Sequence, residues 1–318
     1  MQYRTYQSGD ERSIVELWNE CLTKDPITPL RFRKLVLLDA NFDSDGLRLA
    51  FDGDKLAGCV YAVRRQLPMH GTELEPANGW IPFFFVSSAY RRQGVGRTLM
   101  QQALQFLKDC GRTNVYFSSY APNYILPGID EANYTDGYQF LLSQGFKKLY
   151  SPVAMNRTLV GYEIPEDIRS LKREREAEGF TFRTAQDEDL YELIQFATSF
   201  NPDWGRAIRE GLLQKLPMSQ IFVCRNPQKK LVGFCLYGGY EGIRERFGPF
   251  GVDPDIQGKG LGKILLNVCM EAMRAEGLHG IWFLWTAETT PAGHLYKRTG
   301  FETTRKFHVM LHQLASSN

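Results

Sequence analysis

Two fifteen-residue segments of this 318-residue chain repeat one another, and that duplication limits what the chain can fold into. The first is Phe85-Val86-Ser87-Ser88-Ala89-Tyr90-Arg91-Arg92-Gln93-Gly94-Val95-Gly96-Arg97-Thr98-Leu99. The second is Gly251-Val252-Asp253-Pro254-Asp255-Ile256-Gln257-Gly258-Lys259-Gly260-Leu261-Gly262-Lys263-Ile264-Leu265. They align without a gap, Val86 on Val252, 166 residues apart. Each follows an apolar, strand-like run and opens a helical pattern. Further on, Ser143-Gln144-Gly145-Phe146 matches Arg298-Thr299-Gly300-Phe301, each a helix end closed by glycine and followed by a strand. The spacing there is 155, so the first half carries about eleven extra residues, which fit the Pro-, Gly- and Asn-rich stretch from Ala121 to Asn133. A period this long is no solenoid. It is a duplicated domain.

Both halves carry the same order of elements. In the first, a strand at Tyr3–Tyr6 precedes helices near Ile14–Leu22 and Leu30–Leu38. Strands follow at Leu47–Phe51 and Gly58–Arg64, then the run into Val86, a helix after Gly96, a strand at Val115–Ser118 and a helix before Gly145. The second half has a strand from Phe180, a helix over Leu190–Phe200, strands at Ile221–Cys224, Leu231–Tyr237, Phe247–Val252 and Ile281–Trp285, and a closing strand at Phe307–Leu311. Glu163–Gly179 is highly charged and reads as a solvated linker helix. The expected organisation is α/β, with mixed α+β sheets, in three parts: a domain at 1–158, a linker at 159–179 and a domain at 180–318.

Composition narrows the function. Hydrophobic residues make up 43% and charged residues 23%, enough for two cores. With 38 basic and 36 acidic residues spread evenly over the halves, no field is present to gather nucleic acid. No run approaches the roughly 18 apolar residues of a membrane span. The N-terminus lacks a signal peptide's apolar core. Cys21, Cys59, Cys110, Cys224, Cys235 and Cys269 are scattered, without metal-ligand spacing, so reduced thiols in the cytoplasm and no metal site are expected.

A strand, a loop with glycines two apart and a helix make a ready anion site, because the unpaired amides of the first helical turn converge and the helix dipole favours negative charge. Arg91, Arg92 and Arg97 in one copy, Lys259 and Lys263 in the other, add charge at the rim. The loop is neither a Gly-x-Gly-x-x-Gly dinucleotide fingerprint nor a P-loop.

These residues resemble the acyl-CoA signature of the GNAT superfamily of N-acetyltransferases: Gln or Arg, two residues, Gly, one residue, Gly or Ala. Arg91-Arg92-Gln93-Gly94-Val95-Gly96 and Gln257-Gly258-Lys259-Gly260-Leu261-Gly262 both match. The resemblance implies two tandem domains of this kind. It places the pyrophosphate of acetyl-CoA on Gln257 to Lys263, and on Arg91 to Arg97 if the first copy also binds. Pantetheine would run beside Val252 or Val86, and Thr289 replaces the family's frequent asparagine.

By the same resemblance, the backbone amide of Phe250 (Phe84 in the first copy) polarises the thioester, and Tyr296 is the acid for the departing thiolate. In the first copy Leu141 stands at the tyrosine's place, with Tyr138 three residues before it. The family's glutamate base falls on Arg246 and Trp80, leaving Glu288, Glu241, Glu245 and His294 as candidates, Glu288 first among them.

The expected division is therefore a catalytic C-terminal half and an N-terminal half that binds CoA at most. The insertion from Tyr120 to Tyr138, with Asp130, Glu131 and Asp136, is a candidate wall for the acceptor, a small-molecule or protein amine. The alternatives are a non-catalytic acyl-CoA-binding module and a transferase acting from aminoacyl-tRNA, which the neutral charge disfavours. Monomer and homodimer remain equally open.

Overall fold

The computed structural model describes residues 1–256 and 258–315. The chain packs as two units, one formed by Met1–Pro68, Glu73–Pro152 and the stretch beginning at Arg305, the other by Met69–Thr72 and Val153–Thr304.

The first unit opens with β1 (Gln2–Thr5), α1 (Glu11–Cys21) and α2 (Pro29–Phe32), which runs on as a π-helical turn over Arg33–Leu37. Then come β2 (Leu47–Asp52), β3 (Lys55–Arg64), β4 (Asn78–Val86), α3 (Val95–Asp109), β5 (Asn114–Phe117), α4 (Thr135–Ser143) and β6 (Lys147–Tyr150). Alternation along the strands sorts the side chains between two cores. Cys59, Tyr61 and Val63 of β3 face Ile14, Trp18 and Phe32, while Val60 and Ala62 face Leu99, Ala103 and Leu107 of α3. Such a strand, apolar on both faces, is buried from Leu56 to Val63.

The second unit comprises β7 (Val153–Thr158), α5 (Glu166–Ala177), β8 (Thr181–Thr184), α6 (Leu190–Phe200), α7 (Pro202–Leu213) and β9 (Ile221–Arg225). It continues through β10 (Leu231–Tyr237), β11 (Phe247–Val252), α8 (Leu261–Ala275), β12 (Gly280–Thr286), α9 (Pro291–Arg298) and β13 (Glu302–Lys306), whose end crosses into the first unit. Its strands form two sheets, β11-β10-β9-β8 and β12-β7-β13. Caps fix the helix starts: the Asn201 side chain accepts from the amide of Asp203 at 2.9 Å, and the Thr290 hydroxyl accepts from Gly293 at 3.2 Å, each followed by a proline.

The final strand, β14 (Val309–Gln313), lies in the first unit's sheet, whose order is β1-β2-β3-β4-β5-β14-β6. It pairs antiparallel to β5, Met310 opposite Phe117, and to β6. Its counterpart β7 pairs antiparallel to β12 in the second unit, Met155 opposite Phe283. The two halves thus exchange their last strands. This corrects the expected boundaries: residues 153–158 belong with the second half, and the strand expected to complete the second sheet completes the first. The 159–179 segment is corrected too. Its helix α5 is part of the second unit, with Ile168 buried in the core and Leu171 packed against it.

Candidate active site

In both units the strand before the glycine loop carries a bulge. The four residues of β4 from Trp80 to Phe83 lie opposite the three of β3 from Val63 to Tyr61. In β11, Phe247 to Phe250 likewise span Tyr237 to Cys235. Each bulge contains a proline, Pro82 or Pro249, which has no ladder hydrogen to lose. A bulge reverses which backbone groups face which neighbour. Beyond it Ser87 donates to the carbonyl of Ala57 at 2.9 Å, so Phe85 and Phe83 also face β3 while Phe84 and Val86 face away. The Val86 carbonyl accepts from Arg91 Nε at 3.2 Å on that outer side.

That outer side is open. β4 pairs with β5 only through Asn78–Ile81, and the last bond runs from the amide of Ser118 to the Ile81 carbonyl at 2.8 Å. Ser118 and Ser119 then take φ of 62° and 53°, left-handed values that turn β5 away from β4. The gap widens into a cavity of about 990 Å³ that joins the edge Phe83–Val86 to the glycine loop and to the insertion. Its loop end is lined by Arg91, Arg92, Gly94, Gly96 and Arg97, and its far end by Leu22, Thr23, Ile125, Leu126, Asp130 and Tyr134.

The two glycines of the loop have different duties. Gly94 caps α3 at φ +86°, with nothing within 4 Å of where a Cβ would stand. Gly96 needs no special backbone, but its Cβ would lie 3.1 Å from Phe84 Cζ, whose ring stacks on Phe140 at 5.0 Å. Val95 is the buried first residue of the helix, and Gln93 folds back to donate to the Ala89 carbonyl at 2.8 Å. This cradle fits an acyl-CoA: converging first-turn amides, exposed Arg92 and Arg97, and the Phe84 amide turned toward the space beyond.

The second unit repeats the scaffold. Asp253 donates to the Val232 carbonyl at 2.9 Å, so Phe250 and Val252 face away from β10. β11 and β12 share no ladder among the described residues; an isolated bridge joins Arg246, just ahead of β11, to Trp282, whose amide donates to the Glu245 carbonyl at 3.0 Å. Gly258 (φ +89°) and Gly260 (φ +74°) shape the loop, and Gly262 admits Phe250 at 3.1 Å from its would-be Cβ. Here, however, α5 and Phe180 pack beside the loop, with Gly258 and Lys259 still exposed. A Cβ on Gly260 would stand 2.7 Å from Leu171 of α5, Lys263 pairs with Asp167 at 3.1 Å, and the Lys259 ammonium lies 5.2 Å from the centre of the Phe180 ring. Leu261 is buried in the core, and Gln257 lies outside the described residues.

Tyr296 is enclosed by aromatic rings: Phe283 at 4.4 Å, Phe301 at 5.4 Å, Phe250 at 6.2 Å and Phe247 at 6.3 Å between centroids. Burial, with the sulfurs of Cys235 and Cys269 next, raises its pKa far above a phenol's usual value. Glu288 is held in an ion pair with Lys297 at 2.8 Å and accepts from Thr303 at 3.1 Å. Thr289 and His294 are exposed, and Arg246 is gripped by Glu241 at 3.1 Å. In the first unit Leu141 is buried at the tyrosine's place, and the Tyr138 ring sits 5.2 Å from that of His308.

A fold with a bulged, splayed sheet and a glycine-capped helix at the splay, present twice, defines a tandem acyltransferase of the acyl-CoA-binding kind. Family comparison agrees on both copies: the acetyltransferase (GNAT) family model matches residues 12–125, and an acetyltransferase (GNAT) domain model matches residues 217–303. The chain belongs to the GNAT family of acetyltransferases.

A mycothiol acetyltransferase of Thermobispora bispora is 25% identical over 307 residues, 92% of each chain. One from Arthrobacter is 30% identical over 132 residues, 38% of this chain and 41% of that protein. Among solved structures, a glucosamine N-acetyltransferase region of a fungal β-N-acetylglucosaminidase superposes with a TM-score of 0.81 at 17% identity, covering 98% of this chain and 38% of that one. A tandem GNAT protein of the clavulanic acid pathway superposes at 0.66 and 13% identity, over 100% and 99% of the two chains. Among the described residues no helix is long and apolar enough to cross a membrane.

Proposed function

We propose that this chain moves the acetyl group of acetyl-CoA to the primary amine of a small molecule, and that the reaction takes place in the first unit. One observation carries the reading: a cavity of about 990 Å³ joins the first glycine loop to the insertion, while in the second unit Leu171 of α5 packs onto Gly260, the counterpart of the open Gly94. This reverses the division of labour expected from the sequence, which rested on Tyr296. The amides of Gly94–Arg97 with Arg92 and Arg97 would hold the pyrophosphate. The amide of Phe84 would donate to the thioester carbonyl as charge develops there. Leu141 has no proton to give, so the proton that the attacking amine loses balances the departing thiolate. The names of the relatives and of the fungal structure support a small amine, and glucosamine is the first acceptor to try.

A second reading keeps the reaction in the second unit, and one observation favours it. Burial keeps the Tyr296 phenol protonated, and its ring lies 6.2 Å from that of Phe250, whose amide faces the splay. Calorimetric titration with acetyl-CoA separates the two. Arg92→Glu with Arg97→Glu should weaken binding at least tenfold, and Lys259→Glu with Lys263→Glu should leave it within about twofold. The opposite pattern, together with loss of turnover in Tyr296→Phe, moves the reaction to the second unit.

A further inference from the structure

The acceptor end of the first unit's cavity has two walls that come from distant parts of the sequence. One is the loop after α1, where Leu22 and Thr23 line the space; the other is the insertion, where Ile125, Leu126, Asp130 and Tyr134 do. Behind these walls stands a residue from the far end of the chain. Arg305 Nη1 and Nη2 donate to the two oxygens of Asp25 at 2.6 and 2.9 Å, and Nε donates to Asp130 Oδ2 at 2.6 Å. One planar guanidinium thus bridges the α1 loop and the insertion. Asn133 adds a donor to Asp130 at 2.6 Å, and the Tyr134 hydroxyl donates to Asp25 at 2.6 Å. Three residues further, His308 Nε2 meets Glu131 at 2.9 Å and Nδ1 meets Ser151 at 2.7 Å, while its backbone pairs with Ile129.

We infer that Arg305 is a positioning residue for the acceptor: carried in by the exchanged C-terminal segment, it sets the spacing of the two walls between which the amine binds. The inference rests on the proposal that the first unit's cavity holds the reactants, and it adds what that proposal lacks, a determinant of acceptor binding separate from the CoA loop. Asp130 is almost fully buried and already accepts three hydrogen bonds, two from Asn133 and one from Arg305, so it shapes the wall rather than touching the amine. Electrostatics bind the clamp. Burial alone would raise the Asp130 pKa, but hydrogen bonds from Asn133 and Arg305 outweigh it and hold the carboxyl below its usual range. A lysine at 305 would keep the charge but lose the fork that reaches two carboxylates at once.

The test uses the full chain with Arg305→Gln and Arg305→Lys, acetyl-CoA as donor and D-glucosamine as the probe amine, thiol release being followed. The expected result is a split. KM for the amine rises at least tenfold in Arg305→Gln, and less in Arg305→Lys, with kcat within about threefold and acetyl-CoA affinity by calorimetry within about twofold of the parent. An unchanged KM overturns the inference. So does a parallel fall of kcat and acetyl-CoA affinity, which would make Arg305 a support of the fold alone. If the parent chain does not acetylate glucosamine, the failure belongs to the proposed acceptor, and hydrogen exchange decides on the clamp. Faster exchange at both Leu22–Asp25 and Ile125–Tyr134 in Arg305→Gln, with Gly94–Leu99 unchanged, sustains it; unchanged exchange in those walls overturns it.

Discussion

Gly94 and Gly96 stand two residues apart in one loop, yet substitutions at them should fail for different reasons. Alanine at 94 meets open space but must hold φ +86°, a cost of about 1–2 kcal/mol for a residue with a Cβ. Leucine at 96 has a normal backbone but drives into Phe84 and its stack on Phe140, an overpacking of about 1–3 kcal/mol that also shifts the strand lining the cavity. Both should lower the thermal midpoint, and only Gly96→Leu should change the near-ultraviolet aromatic signal. Asp189 offers a pH-dependent case. It is fully buried, paired with Arg183 at 2.5 Å and Arg225 at 2.6 Å; burial opposes its ionisation, but these bonds bring its pKa down to about 2. A lowered pKa stabilises the fold above the unfolded value near 4, and that contribution is lost as pH falls through about 2. Asp189→Asn should cost about 3 kcal/mol at neutral pH and flatten stability between pH 4 and 2, read from urea midpoints. At this scale the sequence showed where the loops are, because paired glycines ahead of a helical period are a local signal. It did not show that Gly96 makes room for a ring rather than for a ligand, since that depends on a side chain twelve residues away.

Among the elements, the exchanged strands make the largest departure from what the sequence pattern suggests. An apolar run from Phe307 to Leu311 announces a strand, and one forms at Val309–Gln313, but alternation says nothing about which sheet a strand joins. The clue was present only as a mismatch: Arg305 and His308, two cationic or polar residues flanking a core strand, have their partners in the first half. Stability should follow the exchange. Met310 is fully buried in the first unit's core and Met155 in the second's, so each truncation to alanine should cost about 2–5 kcal/mol in the unit that receives the strand. Hydrogen exchange distinguishes the units. Met310→Ala should loosen β5 and β6 and leave β9 and β10 protected, and Met155→Ala should loosen β12 first. Loss of protection in the opposite units would mean that each strand is anchored elsewhere. The helix over Glu166–Ala177 was legible as charged and solvated along most of its length, but two apolar residues, Ile168 and Leu171, seat it against α8 and the second glycine loop. Two residues in twelve are too few for a periodic signal to identify as a packing face.

For the molecule as a whole, the duplication was legible because it is written twice, whereas the location of the open site was not, because a cavity is the space left by residues far apart in sequence. The exchange also means that neither half is an independent chain segment. Residues 1–158 lack the strand that separates β5 from β6 and end in a strand that belongs to another sheet. Expressed alone, that fragment should be insoluble or unfolded, with unpaired edges exposed at the middle of its sheet. The geometry provides a positive counterpart. The amide of Phe307 donates to the carbonyl of Pro152 at 2.9 Å, so the chain leaving β6 and the chain entering β14 already touch. Joining Pro152 to Arg305 through a few Gly and Ser residues should close the first unit on itself with its core, its clamp and its glycine loop intact. Such a chain should unfold cooperatively and bind acetyl-CoA within about threefold of the parent's affinity. If it folds but does not bind, the donor site lies in the second unit, and the catalytic role returns to the half that carries Tyr296. If it binds and also acetylates an amine, the second unit serves the first as the carrier of its missing strand.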